Sequence, residues 1–357
     1  MLRSQVRRAL LTTLRAAGIF QFVARSTWRS QRLLILCYHG TSLDDEHQWR
    51  PSLYVSAETL EQRMEWLSSG RYSVLPLEEA LQRLHSGTLP QRSVALTFDD
   101  GTYDFYRQAF PLLRGHGFPA TVYQTTYYAQ HELPVFNLIC SYMLWKRRGM
   151  IVADGQKIGL AGPLDLHDEP SRHRVVRGLI EAAERDHLTG EQKDDLAARL
   201  AELLGVDYAT LKAKRILQLM NHGELEQVAR AGIDLQLHTH RHRTPVDEAL
   251  FRSEIQDNRD GLQGLCRATP VHFCYPSGVH RPEMLPWLRA EGIQSATTCD
   301  AGLATRASDP LLLPRFVDNQ NRQPIDFESW TTGVGELLAV RRAASQVYVP
   351  GTQGQVD

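Results

Sequence analysis

From Leu33 onward, short apolar runs recur along the chain, separated by stretches with helical spacing of apolar positions. Leu33–Tyr38, Val94–Phe98, Ala120–Gln124, Ile233–Leu237, Val271–Tyr275 and Gln294–Thr298 are β-branched or aromatic and bounded by polar or turn residues, so they read as buried strands. Between them the spacing predicts helices over Ala57–Ser69 (introduced by Ser56), Glu78–His85 (ending near Gly87) and Tyr106–His116 (ending at Gly117). Further helices are expected over Gly223–Ala231, Val246–Leu265 and Arg281–Glu291. Strands alternating with helices imply βα units and parallel pairing. The alternation fades between about residues 127 and 219, where Val135–Arg148, Ser171–Glu184 and Glu191–Leu204 predict a mostly helical insertion. Its default reading is structural, although it can also cover a site. The run Leu311–Leu313 looks like a final strand. A tail over 331–357 is expected to form a short helix and then a disordered end around Pro350–Gln355.

Two of the strands end in residues able to do chemistry. Val94–Phe98 runs into Asp99, Asp100 and Gly101. Neighbouring side chains on a strand face opposite ways, so both carboxylates serve one site only if the chain turns there, which Gly101 permits. A helix cap would explain the aspartates equally well if they stood alone. Ile233–Leu237, however, runs into His238-Thr-His-Arg-His242, whose outer histidines are four apart. The two strand ends together supply two imidazoles, one carboxylate and a spare carboxylate. Three protein ligands plus a water is the open arrangement of a catalytic zinc site. In βα folds such sites gather at the carboxyl ends of the strands.

On Thr97-Phe-Asp-Asp-Gly101 and His238-Thr-His-Arg-His242 the sequence resembles the NodB-type polysaccharide deacetylases. Tyr275-Pro-Ser-Gly278 resembles their third motif in its Tyr-Pro-x-Gly form, and Leu34–Gly40 the opening strand of many members. The resemblance spans roughly residues 33 to 317. It implies a distorted (β/α) barrel of about seven strands; periodicity alone does not separate that from an open doubly wound sheet. It also implies a metal-dependent hydrolase that removes acetyl groups, N-linked or O-linked, from a sugar or polysaccharide. Asp100, His238 and His242 would hold one divalent metal, with Asp99 as general base. Zn²⁺ suits this donor set best, and Co²⁺, Ni²⁺ or Mn²⁺ can occupy it too. Tyr103, Tyr275 and Pro276 are expected to bind substrate, Tyr103 also offering its backbone N–H to the oxyanion. Two departures stand out. Phe273 and Cys274 occupy the place where many members carry an arginine, and Leu311–Phe316 lacks a late histidine. The Leu-Pro-Arg segment nominates Arg315 as the substitute, with its guanidinium in hydrogen-bond reach of Asp99. The proton donor stays open among His39, His240 and His280.

Composition narrows the alternatives. A net charge of −1 over 357 residues argues against general attraction to nucleic acid. Five cysteines without a CxxC pair read as reduced thiols, which points to the cytoplasm. Residues 1–32 are distinct: seven arginines, no acid, and interspersed leucines, isoleucine and phenylalanines. Arg15 interrupts the apolar stretch, so neither an export signal nor a membrane span is expected. The segment reads either as a basic amphipathic helix on the inner membrane face or as a helix packed on residues 33–330. Acetylated saccharides or lipid-linked glycans of envelope or exopolysaccharide biosynthesis are then the expected substrates. The competing reading is a catalytically silent carbohydrate-binding relative. A two-carboxylate glycosidase leaves the histidines unexplained, because Asp99 and Asp100 are too close in sequence to flank a glycosidic bond.

Overall fold

The computed structural model describes residues 2–266 and 268–339, so the expected disordered end around Pro350 lies outside them. Seven strands follow one another around a parallel sheet: β1 Leu34–Tyr38, β2 Ser93–Phe98, β3 Thr121–Gln124, β4 Asp234–Leu237, β5 His272–Cys274, β6 Ser295–Thr297 and β7 Phe316–Val317. Their order is β6-β5-β4-β3-β2-β1-β7, and a short strand, Ser73–Val74, pairs with β2 off this path. Leu313 forms a parallel bridge with Thr297 of β6, which brings the two ends of the order together. The result is a (β/α) barrel distorted at that seam. The final strand is Phe316–Val317 rather than Leu311–Leu313. Pro314 explains the shift, since it has no N–H to give a ladder.

Strand alternation sorts the side chains into two layers. Leu34, Leu36, Val94, Leu96 and Phe98 pack outward in one cluster with Leu60, Met64 and Leu67 of the helix Ala57–Ser69. Ile35, Ala95, Tyr123 and Cys274 point the other way and meet Leu77, Ala80, Leu81 and Leu84 of the helix Leu77–Ser86. That helix fills one end of the barrel interior. The other end, at the strand carboxyl termini, is left to polar residues. Helix starts follow their caps: Ser56 Oγ accepts the Thr59 N–H at 3.1 Å, and Asp247 begins Glu248–Gly261 later than the expected Val246. The helix expected over Tyr106–His116 opens with a π-helical turn, Phe105–Ala109. Pro111 lacks the N–H that an α-helix would give to the carbonyl of Arg107, so the wider turn sits where that bond is missing.

The insertion has its own core. Ile139, Leu179, Leu200 and Leu211 come from its helices, and Trp49 and Tyr54 join them from the loop after β1. At the chain start, the helices Leu2–Ala16 and Ile19–Ala24 bury Leu11, Phe20 and Val23 against Val334. Arg15 meets Glu328 at 3.0 Å, and buried Arg29 donates to the carbonyls of Thr331 and Ser93 at 3.2 Å each. Among the described residues, no helix is long and apolar enough to cross a membrane.

Candidate metal centre

Asp99 continues the inward register of Ala95 and Thr97, so its carboxylate enters the barrel mouth. Asp100 would face outward on a regular strand, but its backbone adopts φ +71° and turns the side chain back to the same side. Gly101 follows at φ +75°, and a Cβ there would lie 1.8 Å from Gln124 Oε1. Glycine is therefore required twice over, by conformation and by space. After β4, Thr239 at φ +60° and His242 at φ +55° bend the chain so that His238 and His242 converge. Left-handed backbone at non-glycine residues is costly, and here it serves to aim ligands.

Asp100 Oδ1 lies 3.2 Å from His238 Nε2 and 3.3 Å from His242 Nε2. That oxygen is buried and makes no hydrogen bond of ordinary geometry. His238 Nδ1 lies 2.8 Å from the carbonyl of Cys274, which can only accept, so Nδ1 carries the proton and the Nε2 lone pair points at Asp100. Asn258 fixes the same residue by accepting the His238 N–H at 2.8 Å. Two imidazole nitrogens and one carboxylate oxygen within 4.8 Å of one another fit a divalent metal. An orphaned buried oxygen between them is what such an ion would satisfy.

Asp99 has a different environment. Arg315 Nη1 donates to Oδ1 at 2.7 Å and Nη2 to Oδ2 at 2.8 Å, a two-pronged pair deep in the barrel. Arg315 is itself held by Thr298 O at 2.9 Å and Thr97 Oγ1 at 3.2 Å. The thiols of Cys37 and Cys274 reach Asp99 Oδ2 at 3.5 and 3.4 Å. Burial keeps both thiols protonated despite the nearby guanidinium, so they act as donors. Burial alone would make Asp99 a weaker acid; Arg315 reverses this and holds the carboxyl well below the usual range. Asp99 is thus an ionised, fixed acceptor whose carboxylate lies within 4.8 Å of a His238 ring nitrogen.

The structure separates the remaining candidates. His39 Nε2 is 3.7 Å from Asp99 Oδ2, and its ring is partly open to solvent. His240 instead meets Thr126 Oγ1 at 2.8 Å, where burial lowers its pKa. His280 Nδ1 donates to Gly278 O at 3.1 Å. Tyr103 gives its backbone N–H to Gln218 O at 2.8 Å, so that donor is not free for an oxyanion, contrary to expectation. Its ring lies under the Arg215 guanidinium at 4.0 Å. Tyr275 is 0% exposed and its hydroxyl donates to Leu311 O at 3.0 Å, so it is a packing residue rather than a substrate contact. Pro276 is buried beside it, in the turn Pro276–Gly278. Sequence reasoning missed the two thiols above Asp99 and the buried Asp104, which accepts the Thr41 N–H and the Thr102 hydroxyl at 2.9 Å each.

The chain is similar to known proteins in sequence and in fold. The family described as polysaccharide deacetylase matches residues 86–198 and 210–296, more than half of the chain. The chain is 35% identical over 98 residues to Bacillus subtilis YxkH, covering 27% of this chain and 33% of that one. It is 35% identical over 78 residues to the poly-β-1,6-N-acetyl-D-glucosamine N-deacetylase of Staphylococcus aureus, covering 22% and 27%. With the Escherichia coli enzyme of the same name it shares 28% over 100 residues, covering 28% and 14%. The matched segments therefore span a third or less of these relatives. The Streptococcus pyogenes deacetylase PplD, solved in complex with acetate, superposes with a TM-score of 0.52 at 18% identity, covering 81% of this chain and 93% of that one. IcaB from Ammonifex degensii gives 0.51 at 17%, covering 84% and 97%. At these identities the likeness is one of fold.

Proposed function

The chain belongs to the polysaccharide deacetylase family, and from that premise we propose that it is a hydrolase removing N-acetyl groups from a glycan of the cell envelope or exopolysaccharide. The observation that carries the reading is the pairing of two differently prepared aspartates: Asp100 with His238 and His242 as a ligand set, and Asp99 held ionised beside them by Arg315. Zinc is the metal that this donor set suits best. When bound, such an ion lowers the pKa of a water to roughly 7 and polarises the acetyl carbonyl.

The protein's own residues supply the proton traffic. Asp99 accepts a proton from the water as its oxygen bonds to the acetyl carbon. Arg315 keeps that carboxylate aimed and reads as a positioning residue. His39 is the histidine beside Asp99 Oδ2 and serves as donor to the leaving nitrogen as the C–N bond breaks. The products are acetate and a free amine on the sugar. Poly-β-1,6-N-acetyl-D-glucosamine is the first substrate to try, because relatives matching this chain carry its name. The test is acetate release from N-acetylglucosamine oligomers by zinc-loaded protein. Release that stops on chelation and returns with metal supports the reading; a loaded protein that binds the oligomers and releases nothing contradicts it.

A further inference from the structure

Residues 1–32 take no part in the chemistry above, yet they leave an unusual surface. Among the described residues, ten large apolar side chains stand exposed, and six of them are Val6, Leu10, Ile19, Phe22, Leu337 and Leu338. Five of them lie on Leu2–Ala16, Ile19–Ala24 and Val334–Leu337, helices that gather in one corner of the molecule, and Leu338 directly follows the last. Phe22 is 75% exposed and Val6 64%. The same helices bury Leu11, Phe20 and Val23 on their other side, so the outward residues are not needed for packing.

The charge around this corner is predominantly positive. The first 32 residues hold seven arginines and no acid, with Arg8 and Arg25 exposed. Arg7 and Arg8 line a groove of about 270 Å³ with Arg322, Asn319 and Asn321, where Asp326 is the one acid. Asp326 lies 3.6 Å from Arg7, which leaves the groove cationic. The other nearby acids are engaged inward: Glu328 meets Arg15 at 3.0 Å, and Glu336 accepts the Leu303 N–H at 3.2 Å. Exposed apolar side chains flanked by arginines on short helices match a bilayer surface carrying anionic headgroups. A second copy of the same corner would meet it with like charge, which disfavours self-association through this face.

We infer that this corner docks on anionic phospholipid membranes, with Phe22 and Val6 entering the acyl boundary and the arginines meeting phosphates. None of these residues belongs to the proposed ligand set or to the Asp99–Arg315 pair, so the inference does not depend on the deacetylase reading. It is tested by flotation of the full chain with vesicles of phosphatidylcholine alone, or with a quarter of the lipid replaced by phosphatidylglycerol. Expected is binding to the anionic vesicles, at least roughly tenfold weaker to the neutral ones and weakened by salt. Phe22→Glu combined with Val6→Glu should cut binding to anionic vesicles about tenfold or more, leaving the circular dichroism spectrum and thermal midpoint unchanged. Arg8→Glu with Arg25→Glu should do the same through charge alone. Three results overturn the inference: no binding of the parent chain to anionic vesicles, binding indifferent to both double variants, or a dimer that the Phe22 variant dissociates while vesicle binding persists.

Discussion

Replacing Arg315 by methionine keeps a long apolar stem in the barrel and removes the guanidinium. Six contacts go with it: the paired bonds to Asp99 and those to Thr97, Thr298, Cys274 and Cys299. Asp99, 2% exposed, is then a buried carboxylate without its counter-charge. Breaking one side of a buried pair typically costs about 3–5 kcal/mol, and that is the loss expected at neutral pH. The pH dependence changes sign as well. In the parent, the folded pKa of Asp99 is depressed, so the pair's stabilisation is present above the unfolded value of about 3.9 and is lost as pH falls through the folded one. In Arg315→Met, burial loses its main opponent, the weaker pull of His39 and His238 remaining, and the folded pKa rises above the unfolded value, so stability falls as pH rises from about 4. The same change moves the acid limb of kcat/KM to higher pH, because the base must be ionised. Arg315→Lys keeps the charge but not the two-pronged geometry and should fall between. Urea unfolding read by circular dichroism at two pH values, with a pH profile of acetate release, measures both effects. Stability within about 0.5 kcal/mol of the parent and an unmoved acid limb would refute the argument.

Three other outcomes are expected. His242→Ala should lose most bound metal while the barrel stays folded; elemental analysis showing full occupancy would remove His242 from the ligand set. Gly101→Ala sets a Cβ against Gln124 at φ +75° and should cost roughly 1–3 kcal/mol in urea unfolding, whereas a neutral result would mean that the turn relaxes freely. His39→Gln should lower kcat by about 10²–10⁴ with metal content and KM retained; unchanged kcat would assign proton donation to another group.

The barrel was legible because its strands are apolar runs that end in polar turns, and its helices because Ser56, Gly87 and Gly117 mark their limits. Two-residue strands such as Ser73–Val74 were not, since their pairing depends on a partner twenty residues away in sequence. Arg315 could be nominated because an ionised carboxylate at a barrel mouth requires a cation and the expected arginine position holds Cys274. The Tyr275 ring and the Tyr103 backbone N–H were misread for a common reason. A residue beside a site looks the same in sequence whether its polar group is free or already bonded, and only the partners decide, here Leu311 for the Tyr275 hydroxyl and Gln218 for the Tyr103 N–H. The thiols of Cys37 and Cys274 lie on strands far apart in sequence, and only barrel closure brings them to one carboxylate.

The central claim is that Asp99 is the base and Asp100, His238 and His242 hold the metal. It is tested most directly by measuring zinc content and acetate release side by side for the parent chain and Asp99→Asn. A neutral amide cannot take the proton from water, so the variant should carry the same zinc as the parent and release acetate about 10²–10⁴ times more slowly. Parent-like release from the zinc-loaded variant would contradict the claim.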